Sequence, residues 1–166
     1  GTWNNGLLRV DLGAEEHSSS VKPAKRYFSN TSIYSLYKDK NNKLWISTEN
    51  GLTIFNIKTN TFEPFKPKNK MPYGFSNEKI YCFYGDGDKI WMGTKMGLLL
   101  FDNKFNEAHL FSKIPDSTGI QVNSAYCLTK DKSGALWIGT NDGLICFNPE
   151  TGEYKKYLSS PHYTQN

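Results

Sequence analysis

Three histidines, three cysteines and one Gly-Asp-Gly-Asp string are the residues of this 166-residue chain with the most chemistry open to them. Two histidines converging with a carboxylate or thiolate would make a metal site or a general base. His17, His109 and His162 share no position in the repeat pattern described below, so neither a metal site nor a catalytic pair is expected, and no cofactor is implied. Cys82, Cys127 and Cys146 lack zinc-ligand spacing, and three is an odd count for a disulfide framework. Cys82 and Cys127 follow Tyr81 and Tyr126 at one place in adjacent repeats. All three thiols are expected to be small, unbridged, buried hydrophobes. "GDGD" at 85–88 starts like a calcium loop but lacks its length and its later acidic ligand, so it reads as a hairpin turn. Nucleophile-elbow, zinc-protease and phosphate-loop strings are missing too.

The bulk composition narrows the classes further. Lysine and arginine number 20 against 16 acidic residues, and they are scattered rather than clustered, so no nucleic-acid partner is indicated. No apolar stretch approaches the ~20 residues of a membrane-spanning helix. The length suits one ordinary domain. Aromatic residues make up 14% of the chain, which favours strands.

What must position any site is a repeat. "LWISTENGLTIFN" at 44–56 returns as "IWMGTKMGLLLFD" at 90–102 and as "LWIGTNDGLICFN" at 136–148. Trp45, Trp91 and Trp137 stand 46 residues apart (91 − 45 and 137 − 91), as do Gly51, Gly97 and Gly143. "GTWNNGLLRVD" at the start reads as the second half of a further copy. Each unit resolves into four short strands. The first ("IYSLYKD", "IYCFYGD", "AYCLTKD") is apolar on both alternating faces, as for a strand buried on two sides. A turn rich in residues that tolerate positive φ leads to the Trp strand. There Ser47, Gly93 or Gly139 is small enough for a neighbouring backbone to approach. Asn50-Gly51, Met96-Gly97 and Asp142-Gly143 then close a hairpin, the Asn-Gly and Asp-Gly pairs suggesting type I′ turns with φ > 0 at both residues. A Phe-centred third strand and a polar outer strand complete the unit.

Four-stranded units of this length are blades of a β-propeller. The expectation is an all-β, single partial β-propeller over 1–166: a half-blade at 1–28 and blades at about 33–65, 80–111 and 125–157. The three repeated tryptophans should occupy equivalent, mostly buried sites between blades. The open ends, an incomplete first blade and an uncovered face on the last, suggest self-association or packing against further blades.

The string W-[IM]-[GS]-T-x-x-G-L, with an upstream Asp and a downstream F-[ND], resembles the two-component regulator propeller repeat. Its carriers are Asp39, Trp45, Thr48, Gly51 and Leu52, then Asp86, Trp91, Gly93, Thr94, Gly97 and Leu98, then Asp131, Trp137, Gly139, Thr140, Gly143 and Leu144. The resemblance implies a segment of the periplasmic sensor region of a Bacteroidetes-type hybrid two-component histidine kinase anchored in the inner membrane. It also implies signal transduction in response to carbohydrate, with the remaining propeller blades of the parent as partners and no enzymatic turnover in this segment. A lectin-like or enzymatic propeller, or a purely structural scaffold, is the alternative.

Function is expected in the loops that differ between units. The links 66–79 and 112–124 should share one face with the turns between second and third strands. That face would gather Glu49, Asn50, Tyr73, Asn77, Lys95, Met96, Asn123, Asn141 and Asp142. Amides, carboxylates and an aromatic ring suit an oligosaccharide ligand, because hydroxyls need paired donors and acceptors and pyranose faces stack on rings.

Overall fold

The computed structural model describes residues 1–10, 25–69, 71, 78–111 and 124–157, in which there are strands and no helix. Among these residues no helix is long and apolar enough to cross a membrane. Among the described residues fourteen strands form four antiparallel sheets. Sheet 1 pairs β1 (Leu7–Arg9) with β2 (Lys25–Tyr27). Sheet 2 is the meander β3 (Ile33–Lys38), β4 (Lys43–Thr48), β5 (Gly51–Asn56), β6 (Thr61–Pro64). Sheet 3 repeats it with β7 (Ile80–Asp86), β8 (Lys89–Thr94), β9 (Gly97–Asp102), β10 (Glu107–Phe111). Sheet 4 does so with β11 (Cys127–Lys130), β12 (Leu136–Thr140), β13 (Gly143–Phe147), β14 (Tyr154–Tyr157). Each sheet hands the chain from its outer strand to the first strand of the next, and β3, β7 and β11 lie side by side. This is the all-β, bladed arrangement of a partial propeller.

The core is made between sheets. Because side chains alternate across a strand, the Trp strand sends Trp45 one way and Ile46 the other. Trp45 and Ile54 pack against Ile80, Ile90, Met92, Leu99 and Phe101 of sheet 3, while Ile46 and Phe55 pack back onto Leu7 of sheet 1. Sheet 3 does the same: Trp91 and Leu98 meet Leu136, Ile138, Ile145 and Phe147 of sheet 4. Trp45 lies 5.3 Å from Phe101, and Trp91 lies 6.4 Å from Phe147, centroid to centroid. Trp and Phe recur because each join needs one of each, from opposite partners.

The small residue after the Trp is where the joins close. Ser47 Oγ accepts the Ile80 N–H at 2.8 Å, and Ser35 Oγ donates to the Ile80 carbonyl at 2.6 Å. At the next join Gly93 has no room for a side chain, because a Cβ would collide with the Ala125 carbonyl and the Cys82 sulfur. The upstream Asp has a structural task as well. Asp39 accepts the Asn41 and Lys43 N–H groups at 2.9 Å each and the Trp45 indole N–H at 3.0 Å. Asp131 serves Ser133, Ala135 and Trp137 in the same way.

Four expectations need correction. The first strands are not buried on two sides: β3 and β11 alternate with exposed positions, whereas β4 and β8 are almost wholly buried, because the second and third strands are the ones sandwiched between sheets. Trp137 is not equivalent to Trp45 and Trp91. They are 1% and 2% exposed, while Trp137 is half-buried on the outward face of sheet 4, packed on Tyr157. Nor are the thiols uniformly buried: Cys127 is exposed and Cys82 and Cys146 are half-buried, all three unbridged. Finally, the hairpins at 48–51, 94–97 and 140–143 are not type I′. Only the glycine of each lies at positive φ (Gly51 105°, Gly97 128°, Gly143 118°). The turn is held instead by the threonine hydroxyl, which donates to the glycine carbonyl and accepts an N–H two residues on. A right-handed residue suffices before the glycine, which explains why Met96 stands where its neighbours have Asn and Asp.

Candidate functional site

The turns between second and third strands lie at one end of the sheets. They are Glu49-Asn50, Lys95-Met96 and Asn141-Asp142, and all six side chains are exposed except half-buried Met96. These turns meet the lead-in of a first strand. The Glu49 N–H donates to the Ser32 carbonyl at 3.2 Å, and the Lys95 carbonyl accepts the Ser124 N–H at 3.2 Å. The Lys95 N–H also donates to Glu78 Oε1 at 3.0 Å. Glu49 joins the group electrostatically through Lys79. Asn141 and Asp142 hold the equivalent turn of sheet 4. Tyr73, Asn77 and Asn123 lie outside the described residues, so the long links 66–79 and 112–124 add no described side chain beyond Lys66–Asn69, Met71, Glu78, Lys79 and Ser124. His17 and His162 fall outside as well. His109 is exposed, with Nε2 3.9 Å from Glu107 Oε2. No group of three or more metal-ligating side chains occurs among the described residues.

Sequence reasoning missed the feature that stands out on this end, a line of four aromatic rings taken one from each repeat unit. Trp3 packs edge-on to Tyr34 (5.8 Å), Tyr34 edge-on to Tyr81 (6.4 Å), and Tyr81 tilted against Tyr126 (4.9 Å). Trp3 is 72% exposed and Tyr126 45%. Tyr34 and Tyr81 stand second in β3 and β7, Tyr126 stands just before β11, and an irregular register gives each first strand an extra residue. It lies between Ile33 and Ser35 in sheet 2 and between Ile80 and Cys82 in sheet 3. In sheet 4 the Tyr126 N–H donates to the Gly139 carbonyl while Cys127 already pairs with Gly139. Such bulges re-aim a side chain and often sit beside functional sites.

Lys79 places its ammonium over the Tyr34 ring, 4.9 Å from the centroid. Its hydrogen bond with the Tyr34 hydroxyl holds its pKa above the ordinary value. Burial, then the neighbouring Tyr126 and Glu78, pushes the Tyr81 phenol up. Burial also pushes the Cys82 thiol up to about 12, so it is no nucleophile. The signal for the line was available: Tyr34, Tyr81 and Tyr126 hold one place in three repeats, 47 and 45 residues apart (81 − 34 and 126 − 81). Trp3 had no such signal, since Glu49, Lys95 and Asn141 occupy its place elsewhere.

Bladed sheets packed through repeated Trp–Phe joins define the class, a β-propeller segment. Residues 27–50 and 119–142 match the two component regulator propeller family. No curated protein matches the chain by sequence. Among solved structures it is similar to the extracellular domain of BT4673 from B. thetaiotaomicron, described in one structure as a hybrid two component system (TM-score 0.73, 21% identity). A second structure of that domain, described as a one component system, gives 0.72 and 20%. In both, the match covers 96% of this chain and 20% of the other. PorZ, a surface component of the type-IX secretion system of Porphyromonas gingivalis, gives a TM-score of 0.66 at 17% identity, over 89% of this chain and 23% of PorZ. At these identities the likeness is one of fold. The chain spans about a fifth of the length of these neighbours.

Proposed function

We propose that this chain is a ligand-sensing segment of the extracellular or periplasmic part of a two-component sensor anchored in the inner membrane. The observation that carries the reading is the pair of family matches at 27–50 and 119–142, two repeat lengths apart (119 − 27 = 92). The fold likeness to extracellular domains of two-component systems supports it. The ligand class is an oligosaccharide met by the turn face that holds Glu49, Asn50, Lys95, Met96, Asn141 and Asp142, together with Tyr73, Asn77 and Asn123. The segment performs no turnover, and histidine kinase activity belongs to other parts of the parent. Its partners are further blades, which cover the outward Trp137 face and the apolar groove between Leu8, Val10, Leu44, Phe55 and Phe62, about 450 Å³ in volume. They are supplied by the parent or, through self-association, by a second copy.

Calorimetric titration with a panel of oligosaccharides tests the reading. Saturable binding without hydrolysis is expected. Hydrolysis of a panel member that a single carboxylate substitution abolishes would replace the sensor with an enzyme. Binding to no member would remove the carbohydrate assignment. Light scattering at micromolar concentration tests self-association, and a clean 18.9 kDa monomer would exclude it.

A further inference from the structure

We infer that the rings of Trp3, Tyr34, Tyr81 and Tyr126 form an aromatic platform for one extended, uncharged oligosaccharide, with the exposed Trp3 and Tyr126 rings at its two ends. The inference rests on the sensor reading and gives it a binding surface distinct from the turn residues alone.

Burial accounts for only part of these rings: Tyr34 and Tyr81 are half-buried, and the two end rings are exposed. The aromatic residues that build the joins, Trp45, Trp91, Phe101 and Phe147, are all 4% exposed or less. By contrast Trp3 is 72% exposed and Tyr126 45%, so these side chains leave most or much of their apolar surface in water. An exposed contiguous aromatic patch calls for a partner. Backbone geometry places them there as well. At each first strand an additional residue opposes the Trp strand and turns the tyrosine out of the face that packs between sheets. The result is a row with one ring per repeat unit and centroid steps of 4.9–6.4 Å. Each step is comparable to the length of one pyranose unit.

The charges around the rings select the ligand. Lys79 and Lys95 share this face with Glu49, Glu78 and Asp142, so its described charges are of mixed sign and favour neither a polyanion nor a polycation. What remains is a row of π-faces and edges flanked by two ammonium donors, two carboxylate acceptors and three phenol hydroxyls. A pyranose chain presents the complement: apolar C–H faces for the rings and hydroxyls at its rim for donors and acceptors. Because the row runs along all four repeat units, a chain of several sugars gains contacts that a monosaccharide does not.

The test titrates the chain with cellohexaose, maltohexaose, glucose and, as a charged comparison, polygalacturonate. Trp3→Ala and Tyr126→Ala are the informative variants, since both side chains are exposed and their removal leaves the packing between sheets alone. Phe105→Ala, exposed on the β9–β10 turn, is the control. Wild type is expected to bind one of the hexasaccharides and to bind glucose far more weakly. Each platform variant should weaken the hexasaccharide about tenfold, from the loss of one stacked ring. Phe105→Ala should bind as wild type does. Hexasaccharide binding unchanged in both platform variants would overturn the platform while leaving the sensor reading intact. Binding of polygalacturonate alone would overturn the uncharged assignment, and binding of none of the four probes would overturn platform and carbohydrate reading together.

Discussion

Trp91 and Trp137 sit in nearly the same sentence of sequence and in different surroundings. Trp91 is 2% exposed, with Phe111 of its own sheet 5.8 Å away and Phe147 of the next sheet 6.4 Å away. Trp137 keeps the partner from its own sheet, Tyr157, stacked at 5.7 Å and 21°, and is half-buried. Their small neighbours differ in parallel. Gly93 is pressed by the Ala125 carbonyl of sheet 4, whereas Gly139 faces only the exposed Cys127 sulfur. The motif therefore specifies half of a join, and burial is conferred by whichever sheet follows. Repeat proteins derive their stability from such nearest-neighbour interfaces.

The comparison is broken most directly at the tryptophans. Trp45→Ala and Trp91→Ala should each destabilise by about 3–5 kcal/mol in urea unfolding, because each removes a wholly buried ring. Trp137→Ala should cost about 1 kcal/mol, since little of its surface is taken from water by a neighbour. Equal costs for all three would mean that the Trp137 face is covered in solution. Next in size, Gly93→Ala should cost roughly 1–3 kcal/mol by forcing the Ala125 backbone away. Gly139→Ala should be near neutral, because an exposed sulfur can turn aside. A destabilised Gly139→Ala with unchanged Gly93→Ala would invert the account of the joins. A third pair should show no difference. Gly97→Ala and Gly143→Ala place a side chain at φ of 128° and 118°, and the strain of roughly 1–3 kcal/mol is local to each turn.

These contrasts also mark what the sequence could say. The blades were legible because the Trp, Gly and Phe periods are local patterns imposed by strand alternation and tight turns. The small residue two places after the Trp was read as a site of close backbone approach, which holds at Gly93 but not at Gly139, where only the Cys127 side chain is near. Burial of Trp137 was not legible, since it depends on a neighbour that the motif does not encode. Type I′ turns were inferred from Asn-Gly and Asp-Gly, yet the threonine two or three residues upstream holds the turn with its hydroxyl and leaves only the glycine at positive φ. The cysteines were judged by residue type, but Cys127 and Cys146 lie on the same outward face as Trp137. Within the candidate site, the turn residues were found from loop composition. The ring line was missed because a tyrosine at the start of an apolar strand reads as core until a bulge is seen to re-aim it.

The smallest effect concerns the aspartates that hold the tryptophans. Asp131 has its pKa pulled down to about 2, first by the Ser133 hydroxyl, which donates at 2.6 Å, and then by the Trp137 indole N–H at 2.7 Å. A lowered folded-state pKa means that the carboxylate contributes stability above its ordinary value of 3.8, and that this contribution fades as pH falls from there towards about 2. Asp131 is exposed, so the contribution is small and screened by salt. The expected observation is a change in Trp fluorescence between about pH 4 and pH 2 that is present in wild type and lost in Asp131→Asn, in a background with Trp3, Trp45 and Trp91 replaced by Phe. In the sandwiched sheet the equivalent Asp39 is 5% exposed, and Asp39→Ala strands the buried Trp45 indole without an acceptor. That change should cost roughly 1–3 kcal/mol, well above the effect of Asp131→Ala. Equal costs for the two alanine variants would show that the Asp–Trp contact is insensitive to the neighbouring sheet, and the contrast between covered and open faces would then end at the rings themselves.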